Sequence, residues 1–195
     1  MFGKSRHEDD KYAQDVGAVR RQKDEYFASS PQSPIPHEER HHGFAGLSYF
    51  PPDPAFRVRA SVNPYPDQHI VQLGTTTGDI QPQVRYAELR FHLADRDLRL
   101  AGFLDPHAHR HHGAIELFVP FRDTTSGKET YGAGRYLEVE VEEQPDGSKT
   151  AVIDFNTAYN PYCAYNAAYS CPLPPAENTL PIAINAGERT YHSHE

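Results

Sequence analysis

VRYAELRFHLADRDLRLAGFL (84–104) decides the fold class of this chain. Arg85, Ala87, Leu89, Phe91 and Leu93 alternate with Val84, Tyr86, Glu88, Arg90 and His92. A period of two is what a strand needs to bury one face, because successive side chains point to opposite sides. ADRD (94–97) reads as a hairpin turn, and 98–104 returns as the partner strand.

The same alternation extends in both directions. Phe56, Val58, Ala60 and Val62 alternate with Arg57, Arg59 and Ser61, which predicts a half-buried strand. Residues 70–75 form a second candidate, bounded by Gly74 and Gly78. Further strands are predicted at 114–121, 135–143 and 150–155, with PDG (145–147) as a turn between the last two. Residues 180–186 give a final candidate after a Pro-rich stretch. About eight strands at hairpin spacing, with no helical pattern between them, predict a mainly all-β fold, an antiparallel barrel or sandwich. A doubly wound sheet would need crossover helices, which the sequence lacks.

Upstream the pattern differs. Residues 8–29 predict one N-terminal α-helix, with Glu8, Asp9 and Asp10 at its positive end. Tyr12, Val16, Val19, Tyr26 and Phe27 fall on or near one stripe. Ser30-Pro31 ends the helix, since proline cannot continue it. SPQSPIPHEERHHG (30–43) reads as a Pro- and His-rich linker, and FAGLSYFPPDP (44–54) as a short buried turn over one end of the sheet. The expected organisation is therefore 1–43 as helix and linker, and 44–195 as a single β domain.

Net charge is −8 with His neutral. That argues against nucleic acid and anionic membrane surfaces as partners, because phosphate binding needs a basic footprint. No apolar run approaches the ~18 residues of a membrane helix. MFGKSRHEDD carries no apolar signal core, so the cytoplasm is the expected compartment. There Cys163 and Cys171 are expected as reduced thiols.

Three blocks concentrate Gly, Pro, Asn, Asp, Tyr and Arg: FRDTTSGKETYGAGRY (121–136), DFNTAYNPYCAY (154–165) and CPLPPAENTLP (171–181), followed by AGE (186–188). Together with FAGLSYFPPDPAFR (44–57) they closely resemble the hallmark segments of the DUF1684 family of uncharacterised bacterial and archaeal proteins. The resemblance spans about residues 44–190. It implies no activity, cofactor or site residue, because the family has none established.

Within the first block, TSGK (125–128) lacks the leading Gly of a phosphate loop and is followed by a strand, which excludes nucleotide hydrolysis of that type. Gly127, Gly132 and Gly134 instead suit an irregular hairpin whose N–H groups form an anion nest, with Arg122, Lys128 and Arg135 supplying charge. The competing account pairs Arg135 internally with Glu129 or Asp154. Asp154 and Asn156 either fix turns through their own backbone or orient a ligand at a barrel mouth. Cys163 and Cys171 either pack as small hydrophobes or include a nucleophile served by His69 or His192. His107, His109 and His111, with His112, would share an extended face and could offer two zinc ligands, or form a solvated loop.

The expected function is binding of a small anionic ligand in a basic, Tyr-lined cavity. The candidate ligand-binding residues are Arg122, Lys128, Tyr131, Arg135, Asp154, Asn156, Tyr159 and Glu177. No cofactor is expected, and His107, His109 and His111 are the weak metal candidates. A metal- or Cys-dependent hydrolase is one alternative. The other is an interaction module docking through an exposed Tyr12/Val16/Val19 stripe.

Overall fold

The structure is a computed structural model that describes residues 6–106 and 115–191. Among them, the period-two segments form seven strands: β1 (Arg57–Pro64), β2 (Ile70–Gly74), β3 (Ile80–Leu93), β4 (Arg96–Leu104), β5 (Ile115–Phe121), β6 (Arg135–Glu143) and β7 (Lys149–Asp154). Every pairing between them is antiparallel. Strand order is β1-β7-β6-β5-β4-β3-β2, and β1 also pairs with β3, which closes six strands into a barrel. Ala60 of β1 lies opposite both Phe91 of β3 and Ala151 of β7. Closure removes the unpaired edges that an open sheet would expose.

β3 makes this arrangement possible by its length of 14 residues. Its second half pairs with β1, while its first half pairs with β2, where Ile70 faces Val84. A bulge between Arg85 and Ala87 shifts the register on the β4 side. The inward residues of the alternating strands meet in one core that includes Leu89, Leu100, Leu117, Phe121, Leu137 and Ile153. A smaller cluster of Leu73, Ala101 and Phe103 lies beneath β2.

The predicted ADRD turn is a two-residue connection. Leu93 pairs with Arg96, and Ala94 and Asp95 both hold positive φ, 51° and 56°. Such a turn matches the twist of the flanking strands, and it favours Asn-Gly over Ala-Asp.

Residues 180–186 do not join the sheet, contrary to expectation. The segment is extended and buries Leu180, Ile184 and Ala186, but its backbone groups are satisfied elsewhere. Leu180 N–H donates to Arg122 O at 2.8 Å, and Ile182 O accepts from Thr124 N–H at 3.2 Å. Pro181 removes one ladder donor. The carbonyls of Ile184 and Ala186 accept from a side chain, Arg135.

The helix α1 (Arg6–Ser29) crosses the outside of the barrel. It ends where expected, and Ser33 Oγ donates to Phe27 O at 2.6 Å just beyond it. Val16 and Phe27 are its buried apolar residues. Phe27 meets Tyr165 edge-on, with ring centroids 5.1 Å apart, in a cluster shared with Ile35. The expected linker contains a short helix, α2 (His37–His42), with Glu38 and Glu39 in its first turn and Arg40, His41 and His42 in its last. This charge order complements the helix dipole. No helix among the described residues is long and apolar enough to cross a membrane.

Replacing Ala94-Asp95 by Asn-Gly should raise stability by about 1 kcal/mol, because Gly removes the left-handed strain. Urea melts check this. A change below ~0.3 kcal/mol would show that the turn carries no such strain.

Candidate functional site

Arg135 opens β6 immediately after Gly134. Gly134 holds φ at 102°, and a Cβ there would come within 2.7 Å of Phe121 O and of Pro174 Cγ. This approach directs the Arg135 side chain into the barrel end, where the residue is 1% exposed. Its guanidinium donates to Asp123 Oδ2 at 2.9 Å, to Ile184 O at 2.9 Å and to Glu188 O at 3.0 Å, and it also bonds Ala186 O. Its partner is thus Asp123, neither Glu129 nor Asp154. Burial lowers the guanidinium's proton affinity, and Asp123 opposes that shift. Both terminal nitrogens of this candidate ligand residue are therefore engaged inside the protein, while its Nε is buried without a partner among the described residues.

The glycine hairpin behind it is equally self-contained. The N–H groups of Ser126, Gly127, Lys128, Glu129, Thr130 and Gly134 all donate to carbonyls within residues 123–131. Asp123 Oδ1 accepts from Thr125 N at 2.8 Å and Thr125 Oγ1 at 2.6 Å. The turn holds Asp123 for Arg135 and leaves these amides none to offer an anion. Lys128 is exposed on the turn, and Arg122 lies half-buried where its backbone bridges Thr179.

The other candidates separate. Glu177 forms a surface pair with Arg85 at 2.7 Å, and the Arg85 guanidinium lies 3.6 Å from the Tyr65 ring centroid. Tyr131 OH approaches Cys163 Sγ at 3.6 Å, and Cys163 N–H donates to Cys171 Sγ at 3.3 Å. Burial, with Cys163 alongside, pushes the Cys171 thiol up to about 11. A nucleophilic cysteine needs the opposite shift. His69 is exposed, with Nδ1 3.1 Å from Asp67 O. His107, His109, His111, His112 and His192 lie outside the described residues. Among the described residues, no group of three or more His, Cys, Asp or Glu is placed to hold a metal.

Asp154, Asn156 and Tyr159 do come together, at the barrel end covered by α1. Asp154 closes β7 and caps the turn that follows, accepting from Asn156 N at 3.0 Å. It also accepts from Tyr12 OH of α1 at 2.7 Å. Burial and this carboxylate both raise the Tyr12 phenol, so it remains a donor. Asn156 is buried and joins residue 53 to this turn through Asp53 N and Asp53 O, each at 2.8 Å. Tyr159 OH donates to Glu138 Oε1 at 2.6 Å.

Beside them a cavity of about 370 Å³ opens between α1 and the barrel. Its helix wall is Tyr12, Asp15, Val16, Val19, Arg20 and Lys23, and its opposite wall includes Tyr49, Ala158, Tyr159 and Glu188. Glu188 is 1% exposed and follows Gly187, whose φ of 77° and close approach to Ala158 O exclude a side chain. The Glu188 carboxylate accepts from Lys23 Nζ, from Tyr165 OH and from Asn160 N, the last at 2.8 Å. The Lys23 ammonium also lies 5.1 Å from the ring centroids of Phe27 and Tyr159. Arg20 stacks over Tyr49, 4.5 Å from its centroid, and donates to Phe50 O at 2.7 Å and Asn156 O at 3.1 Å. Burial lowers the Arg20 guanidinium's proton affinity and raises the Tyr49 phenol. Arg20 Nε and Tyr49 OH are buried without a hydrogen-bond partner among the described residues.

Sequence reading missed Arg20, Lys23, Tyr49 and Glu188. A signal was present for the first two. Tyr12, Val16, Val19, Arg20, Lys23 and Phe27 follow helical spacing, so the two cations share the apolar face. Cations on a buried face need partners, which a net-charge count does not reveal.

The family model for DUF1684, described as a protein of unknown function, matches residues 42–189. A solution NMR structure of an uncharacterized protein from Haloarcula marismortui is similar, with 39% identity and a TM-score of 0.72. That similarity covers 97% of this chain and 100% of the other. No curated protein matches.

Arg135→Met should destabilise the fold by about 3–5 kcal/mol, because Asp123 would remain buried without its partner. A urea melt of the variant within ~1 kcal/mol of wild type would show that the carboxylate finds other solvation. Both thiols should react slowly with maleimide at pH 7 in the native protein, and the rate at Cys171 should climb as pH approaches 11. Rapid labelling of one cysteine at neutral pH would instead identify an activated thiol.

Proposed function

This chain belongs to the DUF1684 family, and we propose that it is a β-barrel domain that binds a small anionic ligand in the cavity between α1 and the barrel. The observation that carries this reading is the cavity of about 370 Å³ itself, whose walls bring Arg20 and Lys23 beside Tyr12, Tyr49 and Tyr159. The volume lies within the range of small-molecule sites, and such sites combine an apolar lining with few convergent polar groups.

Of the residues expected from sequence to line the site, Asn156 and Tyr159 belong to this cavity and Asp154 adjoins it through Tyr12. Arg20 and Lys23 supply the basic character that Arg122, Lys128 and Arg135 were expected to provide. Asn156 and Asp154 position the walls, because their side chains are already bonded to Asp53, Tyr12 and each other. The raised Cys171 thiol gives no support to a cysteine-dependent hydrolase. Of the stripe expected for an interaction module, Val16 is 8% exposed, whereas Val19, at 61%, lies on the cavity wall.

Small organic carboxylates, sulfonates and phosphates added singly to the wild-type protein should include at least one that raises Tm. A ligand at a hundredfold excess over Kd stabilises by about 2.7 kcal/mol. Val19→Trp, which fills the rim, should keep the wild-type Tm without ligand and lose the ligand-dependent increase. An equal increase in Val19→Trp, or no increase with any anion, sinks the reading.

A further inference from the structure

We infer that Cys163 and Cys171 form a reversible dithiol–disulfide clasp, which a small-molecule disulfide closes and a small-molecule thiol reopens. Closed, it ties the platform beneath α1 to the turn that follows β2.

The sequence holds two cysteines, and the fold brings them together. The sulfur of Cys171 lies 3.3 Å from the Cys163 nitrogen, whose N–H donates to it. The two thiols are also hydrogen-bonded to each other. Groups other than sulfur fix both backbones. Cys163 sits in the turn Tyr162–Ala164, where Ala164 N–H donates to Pro161 O at 2.9 Å and Asn166 N–H to Tyr162 O at 3.1 Å. Cys171 is held against the turn after β2. Its N–H donates to Thr76 Oγ1 at 3.2 Å, and its carbonyl accepts from Thr76 N–H at 3.0 Å. A disulfide needs its Cβ atoms ~3.5–4.5 Å apart. Thiols already in contact approach that spacing by side-chain rotation, without unfolding the segment between them.

The surroundings assign the order of events. Cys171 is 7% exposed, and burial with Cys163 alongside pushes its thiol up to about 11, so little thiolate exists there at neutral pH. Cys163 is partly exposed. Tyr131 OH donates to its sulfur at 3.6 Å, which favours thiolate over thiol. Burial raises the Tyr131 phenol, so this donor persists. Cys163 is therefore the attacking group. After losing its proton, it attacks one sulfur of the oxidant, here glutathione disulfide. A bond forms between Cys163 and glutathione, the glutathione S–S bond breaks, and one glutathione leaves as thiolate. Cys171 then loses its proton and attacks the Cys163 sulfur. The Cys163–Cys171 bond forms, and the second glutathione leaves. The two released thiolates take up the two protons, so two electrons and two protons pass from protein to oxidant. Scarce thiolate makes the exchange slow, and proximity favours its second step.

The clasp sits at a junction. The Cys163 side carries Tyr162 and Tyr165, whose ring centroids lie 6.1 and 5.1 Å from that of Phe27 in α1. Tyr165 OH also donates to Glu188, the partner of Lys23 in α1. The Cys171 side belongs to the barrel: Pro172 bridges Thr75, and its carbonyl accepts from Tyr136 OH of β6. A covalent bond between the two sides restricts the unfolded chain.

The test equilibrates the full chain at neutral pH in glutathione buffers of graded oxidised-to-reduced ratio. Samples are quenched with acid and read by intact mass. A species lighter by two hydrogens should grow with that ratio and disappear when reduced glutathione is added. Its Tm should exceed that of the reduced protein. Cys171→Ser, or Cys171→Ala if serine disturbs the buried site, should stop at one glutathione per chain, on Cys163. No mass loss in the native protein at any ratio, or two glutathiones per chain, overturns the clasp. Mass loss accompanied by a lower Tm overturns the preformed geometry. A Cys163→Ser variant that takes up glutathione on Cys171 faster than Cys171→Ser takes it up on Cys163 overturns the order of attack.

Discussion

The guanidinium of Arg135 holds the closed barrel and its C-terminal segment together. It replaces a strand: the carbonyls of Ile184, Ala186 and Glu188 would ordinarily be satisfied by a neighbouring ladder, and here one side chain satisfies all three. Placing a cation at 1% exposure is costly unless the charge is compensated. Asp123 compensates it, and the turn through Thr125 and Thr130 holds Asp123 in place. The dense Gly and Thr content of 121–136 follows from that requirement. What looks in sequence like a loop built for a ligand is a cradle built for an internal ion pair.

Glu188 inherits its position from this arrangement. Its carbonyl accepts from Arg135, its N–H donates to Ala158 O at 2.9 Å, and Gly187 lets the backbone pass close to Phe155 and Ala158. The carboxylate is thereby presented at the barrel end, toward Lys23 of α1. A chain of dependence thus runs from the Arg135 guanidinium to the docking of a helix more than a hundred residues away in sequence.

The antiparallel strands were legible because their evidence is local. Alternation at 84–93 and 135–143 depends only on side-chain facing, and the turn at 94–97 depends on chain reversal. The eighth strand failed because alternation cannot distinguish a segment bonded to a ladder from one bonded to a guanidinium. Closure of β1 onto β3 was not readable either, since the register of Ala60 with Phe91 is a long-range pairing. The site was legible only in part. Asn156 and Tyr159 stood out by composition, whereas Arg20 and Lys23 were not singled out among the charges of the helix. Their partners, Phe50 O, Asn156 O and Glu188, lie far away in sequence, so their burial had no local signature.

The manner in which α1 docks explains why a cavity exists beneath it. Helices that pack by apolar ridges bring their axes to about 8–10 Å from a neighbour and close the space between. α1 buries only Val16 and Phe27, and otherwise attaches through Tyr12 to Asp154, Arg20 to two backbone carbonyls, Lys23 to Glu188, and Asp24 to Leu47 N. Long side chains reaching down to buried acceptors hold a helix at a distance. Between such tethers the backbone stands off the barrel, and the space is bounded by Tyr12, Tyr49 and Tyr159. Apolar packing would have made this helix more stable and removed the cavity. Polar tethering instead keeps the opening.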